Sequence, residues 1–119
     1  MGDCFPKTAR LLNAGDYTAV LRRPDVNLSQ GPLRIRAKVN KMQRPRLGLV
    51  VTKKGTPKAT RRNRVKRIVR ERFRRQATVL PAADFVVQVF GHIDDGEIAP
   101  MVDKALGRAA KRLAEPPEA

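Results

Sequence analysis

The chain has no tryptophan, one tyrosine, one histidine and one cysteine in 119 residues. A lone cysteine, Cys4, excludes an internal disulfide and leaves a cysteine-based zinc site short of ligands. A lone histidine, His92, leaves no pair of imidazoles to divide acid and base roles. It sits in the turn GHIDDG, where a solvated loop residue is the ordinary reading. Asp94, Asp95 and Glu97 beside it lack the spacing of a Ca²⁺ loop. They suit a polar turn with a helix start behind it. No GxxxxGK[ST] phosphate loop occurs, because Lys53-Lys54-Gly55 lacks the spacing, and nothing resembles a nucleophile elbow. No apolar run approaches the ~18 residues that span a bilayer. The start, MGDCFPKTAR, has no apolar signal-peptide core, and Lys7 stands where a myristoylation motif needs Ser or Thr. These absences predict a soluble, cytoplasmic protein with no catalytic residues, no metal site, no membrane contact and no small-molecule substrate.

Acidic residues are also scarce. Asp plus Glu number 11 against 26 Lys plus Arg, a net charge of +15. That balance implies a polyanionic partner. The charge is concentrated as well. Twelve of the 23 residues from Lys53 to Arg75 are Lys or Arg, and only Glu71 is acidic. The length fits one domain over residues 1–119, and 41% apolar residues suffice for a modest core. The closing EPPEA predicts a flexible tail over about 115–119.

Periodicity gives an outline of the fold. Asn13 is placed to cap a short helix to Arg22, with Asp16 near its positive end and Pro24 beyond its stop. Tyr17, Val20 and Leu21 share one face of it. Leu33, Ile35, Ala37 and Val39 alternate with Arg34, Arg36, Lys38 and Asn40. That is a strand with one apolar and one cationic face. A second strand, Leu47 to Thr52, follows a short loop that suits an antiparallel pair. The segment 24–32 leaves room for one more strand. A basic helix is expected over about 57–76, with Thr56 or Thr60 as cap and Pro57 suited to its first position. FVVQVF, residues 85–90, is almost wholly apolar and reads as a central strand. A last helix runs from about Pro100 to Ala114. One sheet with helices against it is an α+β sandwich.

On the basic helix, Val65, Ile68, Val69 and Phe73 define the inward direction. Asn63, Arg67, Arg70 and Arg74 point outward, with Arg62 and Lys66 on one flank and Arg64 and Arg75 on the other. Arg72 falls near the buried stripe and is expected to snorkel. The bland reading of a charge run is a solvated face, but ordinary solvated faces mix signs. Glu71 alone cannot balance these cations. Arginine also offers a planar fork that grips two phosphate oxygens. Asn63 adds a donor and an acceptor suited to a base edge or a ribose hydroxyl, or to a local cap. A DNA-binding zipper is excluded because no heptads follow. A helix-turn-helix is disfavoured because strands, not a helix, precede.

RRNRVKRIVRE resembles the signature helix of the bacterial ribonuclease P protein family. The likeness continues in FPKTARLL with DY..VL, in RLGLVVTKK and in LPAADFVVQV, over roughly residues 5–90. The resemblance implies a small α/β sandwich with a left-handed βαβ crossover, of the type seen in domain 2 of ribosomal protein S5. Spacing alone would favour a right-handed connection. It implies a non-catalytic subunit whose RNA partner carries the active site and its Mg²⁺ and removes the 5′ leader of precursor tRNA. The signature helix would face the RNA subunit through Arg62, Asn63, Arg64, Lys66 and Arg67, with Arg61 and Arg70 of the same helix. The leader would lie between the first helix and the sheet, near Tyr17, Leu21, Arg36, Lys53 and Lys54. The position of Leu21 is often aromatic in that family, so base stacking here falls mainly to Tyr17. Independently of the resemblance, the Arg34, Arg36, Lys38 face beside an aromatic ring is what single-stranded RNA binding requires. The rival function is a ribosomal or other structural-RNA assembly protein.

Overall fold

The computed structural model describes residues 14–40 and 44–114. Asn13, Cys4 and the 115–119 tail lie outside the described residues, as does the Asp16 side chain. The elements are α1 (Ala14–Arg22), β1 (Val26–Gln30), β2 (Leu33–Val39), β3 (Arg46–Val51), α2 (Ala59–Gln76), β4 (Ala83–Val89) and α3 (Asp95–Ala114).

One four-stranded sheet has the order β1-β2-β4-β3. β1 and β2 form a hairpin through Gly31 and Pro32. Gly31 has φ of 60°, in the left-handed region that glycine enters without steric cost. Sequence periodicity leaves β1 unassigned because VNLSQ is short and mostly polar. The expected β2–β3 antiparallel pair does not form. β4 lies between them, antiparallel to β2 and parallel to β3. The reason is burial. ADFVVQV has apolar side chains facing both ways, so it gains most at the centre of the sheet. β3 then joins β4 in parallel through the α2 crossover.

The first face of the sheet carries Leu33, Ile35 and Ala37 beside Phe85, Val87 and Val89, with Leu47 and Val51 on β3. α2 and α3 cover it. Val65, Val69 and Phe73 of α2 are buried there, and Phe73 meets Phe85 edge-on at 5.8 Å between ring centroids. Ile98, Val102, Ala105, Leu106 and Ala109 are the matching row of α3. Like charges at i, i+4 on α2 each cost only about 0.2–0.5 kcal/mol, whereas each large apolar side chain buried is worth about 1.5–3 kcal/mol. Packing therefore holds a helix that its own charge opposes. Val39, expected on this face, is largely exposed at the strand end.

Two helix starts differ from expectation. α2 begins at Ala59, with Lys58 at the cap and no side-chain capping bond. Thr56 is instead buried in a tight turn, its N–H donating to the Thr52 carbonyl at 2.9 Å. Gly55 stands so close to β4 that an added Cβ would lie 2.1 Å from the Phe90 oxygen. The turn is thus spent on reaching β4, and the helix starts later. α3 begins at Asp95 and carries Pro100 inside it. Burial of Ile98 and Val102 outweighs the single helical hydrogen bond that the proline removes.

Candidate nucleic-acid interface

Cationic side chains form two surfaces on opposite sides of the sheet. The first is the outside of α2. Because Val65, Val69 and Phe73 face the core, Asn63, Arg67 and Arg70 are exposed, with Lys66 half-buried beside them. The side chains of these four make no hydrogen bond or ion pair with any described residue.

Their neighbours are occupied. Arg61 donates to Asp95 and to the Ile93 carbonyl. Arg64 lies 3.4 Å from the same carboxylate. Arg62 turns back onto the carbonyls of Thr56 and Pro57, at 3.0 and 2.7 Å, and braces the loop before the helix. Arg72 does not snorkel to water. It grips Asp103 with two bonds, and Gln76 donates to that carboxylate at 2.8 Å. Arg74 and Arg75 converge on Glu71 at 2.7 and 3.0 Å. The expectation that only Glu71 balances the helix therefore misses Asp95 and Asp103, which α3 brings alongside. The Arg61 hydrogen bond holds the Asp95 carboxyl below its usual range, and those from Arg74 and then Arg75 do the same for Glu71. The Asp103 hydrogen bond raises the Arg72 guanidinium. Of the seven predicted α2 residues, the structure leaves Asn63, Lys66, Arg67 and Arg70 uncommitted, uses Arg61 and Arg62 as braces, and keeps Arg64 mostly exposed.

The second surface is the other face of the sheet. Register places Arg36 beside Val86, and Arg34 beside Gln88. Gly48 and Val50 of β3 continue these two rows. α1 lies over the first row. Val20 is buried against Val86, and Tyr17 and Leu21 pack at its sides. The Tyr17 hydroxyl accepts the Leu49 N–H at 2.8 Å, which satisfies a donor on the open edge of β3. Arg36 donates to Gln88 Oε1 at 3.1 Å, while its Nε is buried with no partner among the described residues. Lys38 reaches the Arg23 carbonyl at 3.3 Å. Lys53 and Lys54 are exposed in the turn after β3. The predicted group of Tyr17, Leu21 and Arg36 thus shares one face, with the two lysines at its end.

Sequence reasoning missed three features. Asp84 is buried on this face and binds Arg46 through both oxygens, at 2.7 and 2.8 Å, with Asn40 on Oδ1 at 2.8 Å. Gln88 orients Arg36. Phe90, read as the end of a buried strand, is 47% exposed beside Arg34. A charged residue inside the apolar run 83–89 was the available signal for the first. His92 is exposed and pairs with Asp94 at 3.0 Å. Among the described residues no group of three or more His, Cys, Asp or Glu is placed to hold a metal. No described helix is long and apolar enough to cross a membrane.

Comparison with known proteins agrees over nearly the whole chain. The family model described as ribonuclease P matches residues 5–113. The ribonuclease P protein component of Halorhodospira halophila is 43% identical over 95 residues, covering 80% of this chain and 78% of that protein. That of a Marinomonas species is 34% identical over 116 residues, covering 95% and 88%. Among solved structures, the RNase P protein of Thermotoga maritima is 33% identical, with a TM-score of 0.68 over 83% of this chain and 96% of that one. A Staphylococcus aureus RNase P protein mutant, at 24% identity, shares the fold with a TM-score of 0.76. Sequence relatives and fold agree, and the chain belongs to the ribonuclease P protein family.

Proposed function

We propose that the chain is the RNA-binding protein subunit of ribonuclease P. It assists a catalytic RNA in removing the 5′ leader of precursor tRNA by cleavage of one phosphodiester bond. The observation that carries this reading is the uncommitted group on α2, Asn63, Lys66, Arg67 and Arg70, in a chain whose relatives are ribonuclease P protein components. Those side chains, with Arg64, contact phosphates of the RNA subunit. Arg61 and Arg62 keep the helix seated at its start. On the opposite face Tyr17, Leu21, Arg36, Lys53 and Lys54 receive the unpaired leader. Divalent metal, Mg²⁺, is held by the RNA, since the acids nearest α2 are committed to arginines.

The mechanism is electrostatic and geometric. Two polyanions must be held together at close range, and the cations between them offset phosphate repulsion. A sheet with one cationic face and a helix layer on the other lets the protein contact both. The rival reading as a ribosomal or other structural-RNA assembly protein is not favoured by these relatives.

Salt dependence tests the role of α2. Changing Lys66, Arg67 and Arg70 to glutamine should weaken assembly with the RNA subunit. It should flatten the log–log dependence of affinity on salt by about one unit for each phosphate no longer neutralised. Circular dichroism should stay native, because none of the three belongs to the buried stripe. An unchanged salt slope would reject the assignment.

A further inference from the structure

Five residues of this chain are aromatic, four phenylalanines and Tyr17. Phe73 and Phe85 are fully buried, as a small core demands of its largest side chains. Phe90 is not, although it directly continues β4, the most buried strand. Strand alternation explains where it points. Val87 and Val89 face the helix layer, so Gln88 and Phe90 turn to the opposite face. That is the face of Arg34 and Arg36.

The surroundings of Phe90 are specific. The Arg34 guanidinium lies 6.0 Å from the ring centroid, at the limit of a cation–π contact. The Phe90 N–H donates to the Pro32 carbonyl at 2.9 Å. Its carbonyl lies against Gly55, so close that any side chain at 55 would strike it. The backbone of Phe90 is thereby held between the β1–β2 turn and the Lys53-Lys54-Gly55 turn. Arg34 is thus beside the ring, and the turn that carries the exposed Lys53 and Lys54 meets the Phe90 backbone through Gly55. The register rows at this end of the face, Val50–Gln88–Arg34–Ser29 and the residues just beyond, hold no acidic side chain. Asp84 belongs to the other end, beside Lys38.

Exposed apolar residues are common and single ones need no explanation. Val39 and Val79 are more exposed than Phe90 and are of that kind. An aromatic ring with Arg34 beside it, on a backbone held from two sides, differs from them. The ring offers a stacking surface that any nucleobase fits, and the cations offer contacts for the phosphates on either side.

We propose that Phe90 is a stacking platform for one unpaired nucleotide of the RNA leader, with Arg34, Lys53 and Lys54 taking its flanking phosphates. The proposal rests on the reading that this face receives the leader. It extends the track from Tyr17 and Arg36, under α1, to the far end of β4. Tyr17 is partly committed to packing and to the Leu49 N–H, whereas Phe90 has no packing role on the helix side. The platform takes single-stranded RNA without base preference, because stacking uses the face of the base and not its edge.

The absence of tryptophan provides the test. Phe90→Trp introduces one indole, whose fluorescence reports stacking directly. In holoenzyme reconstituted with the RNA subunit, leader-bearing precursor tRNA should quench this signal, and mature tRNA should not. Phe90→Ala should weaken precursor binding roughly 5- to 150-fold and leave mature tRNA affinity unchanged. Phe90→Trp should bind precursor at least as well as the wild type. If the indole is not quenched and Phe90→Ala binds normally, while Tyr17→Ala or Arg36→Ala lowers the precursor-to-mature ratio, the platform is wrong and the leader face stands. If none of these variants changes the ratio, the leader reading fails with it. Equal weakening of both tRNAs by Phe90→Ala would assign the residue to folding or to the RNA subunit, and would overturn the proposal.

Discussion

The Tyr17 hydroxyl accepts the Leu49 N–H while its ring packs beside Val20 and Val86. The two halves of the side chain can be separated by substitution. Tyr17→Phe keeps the ring and leaves an edge-strand N–H to water. It should cost about 1 kcal/mol of stability in denaturant melts and leave leader binding intact. Tyr17→Ala removes the ring. If the ring stacks on the leader, precursor affinity should fall roughly 5- to 150-fold, from ~1–3 kcal/mol per stacked base, with mature tRNA unaffected. If the ring only packs, both tRNAs should lose affinity alike. A precursor-to-mature ratio equal to that of the wild type would remove Tyr17 from the leader site. On the same face, the Nε of Arg36 is buried with no partner among the described residues.

Between elements, charged side chains do more than decorate the surface. Asp84 ties β4 to Arg46 of β3 and to Asn40 after β2, so one carboxylate joins three segments of the sheet. The Arg46–Asp84 pair is nearly buried, at 15% and 10% side-chain exposure. Removing Asp84 takes from Arg46 the carboxylate that it binds through both oxygens, and truncating one side of a nearly buried pair typically costs more than the pair contributes. Asp84→Ala should therefore destabilise by about 3 kcal/mol in urea unfolding. Adding Arg46→Met should recover much of that loss. A single variant of wild-type stability would show that the bridge is incidental. At the opposite layer, Asp95 and Asp103 of α3 neutralise the side of α2 that faces them. This sorts the cations of α2 into an inner set that braces the fold and an outer set, Lys66, Arg67 and Arg70, that pairs with no described residue.

Over the whole molecule, the division of labour is a sheet with packing on one side and a cationic floor on the other. The one histidine is exposed and paired with Asp94, and the carboxylates facing α2, Glu71, Asp95 and Asp103, are paired with arginines. If, as proposed, the RNA subunit carries the active site, purified protein should not cleave precursor tRNA by itself, with or without Mg²⁺. With its RNA subunit it should raise cleavage efficiency, most of all at low Mg²⁺, where phosphate repulsion is least screened. Cleavage by protein that survives nuclease treatment of the preparation would sink this reading.

Features that depend on local periodicity and charge were legible in the amino-acid order. The α2 stripe Val65–Phe73, the alternation of β2 and the burial of the 85–89 run all follow from spacings of 3.6 or 2 residues. The RRNRVKRIVRE motif identified the family. What depends on residues far apart in the chain emerged only on folding. Strand order is one case, because a loop long enough for a β2–β3 hairpin does not reveal that β4 gains more by entering between them. The state of the arginines is another. Helical spacing sets Arg72 near the buried stripe, and the family resemblance groups Arg61 with Arg67 and Arg70, but neither names an acidic partner for Arg61 or Arg72. Only the arrival of α3 assigns these two to Asp95 and Asp103. Phe90 is the third, since an apolar run signals burial and carries no signal for the residue that steps beyond the helix layer. Local pattern sets which face a side chain takes, and packing between distant segments sets what meets it there.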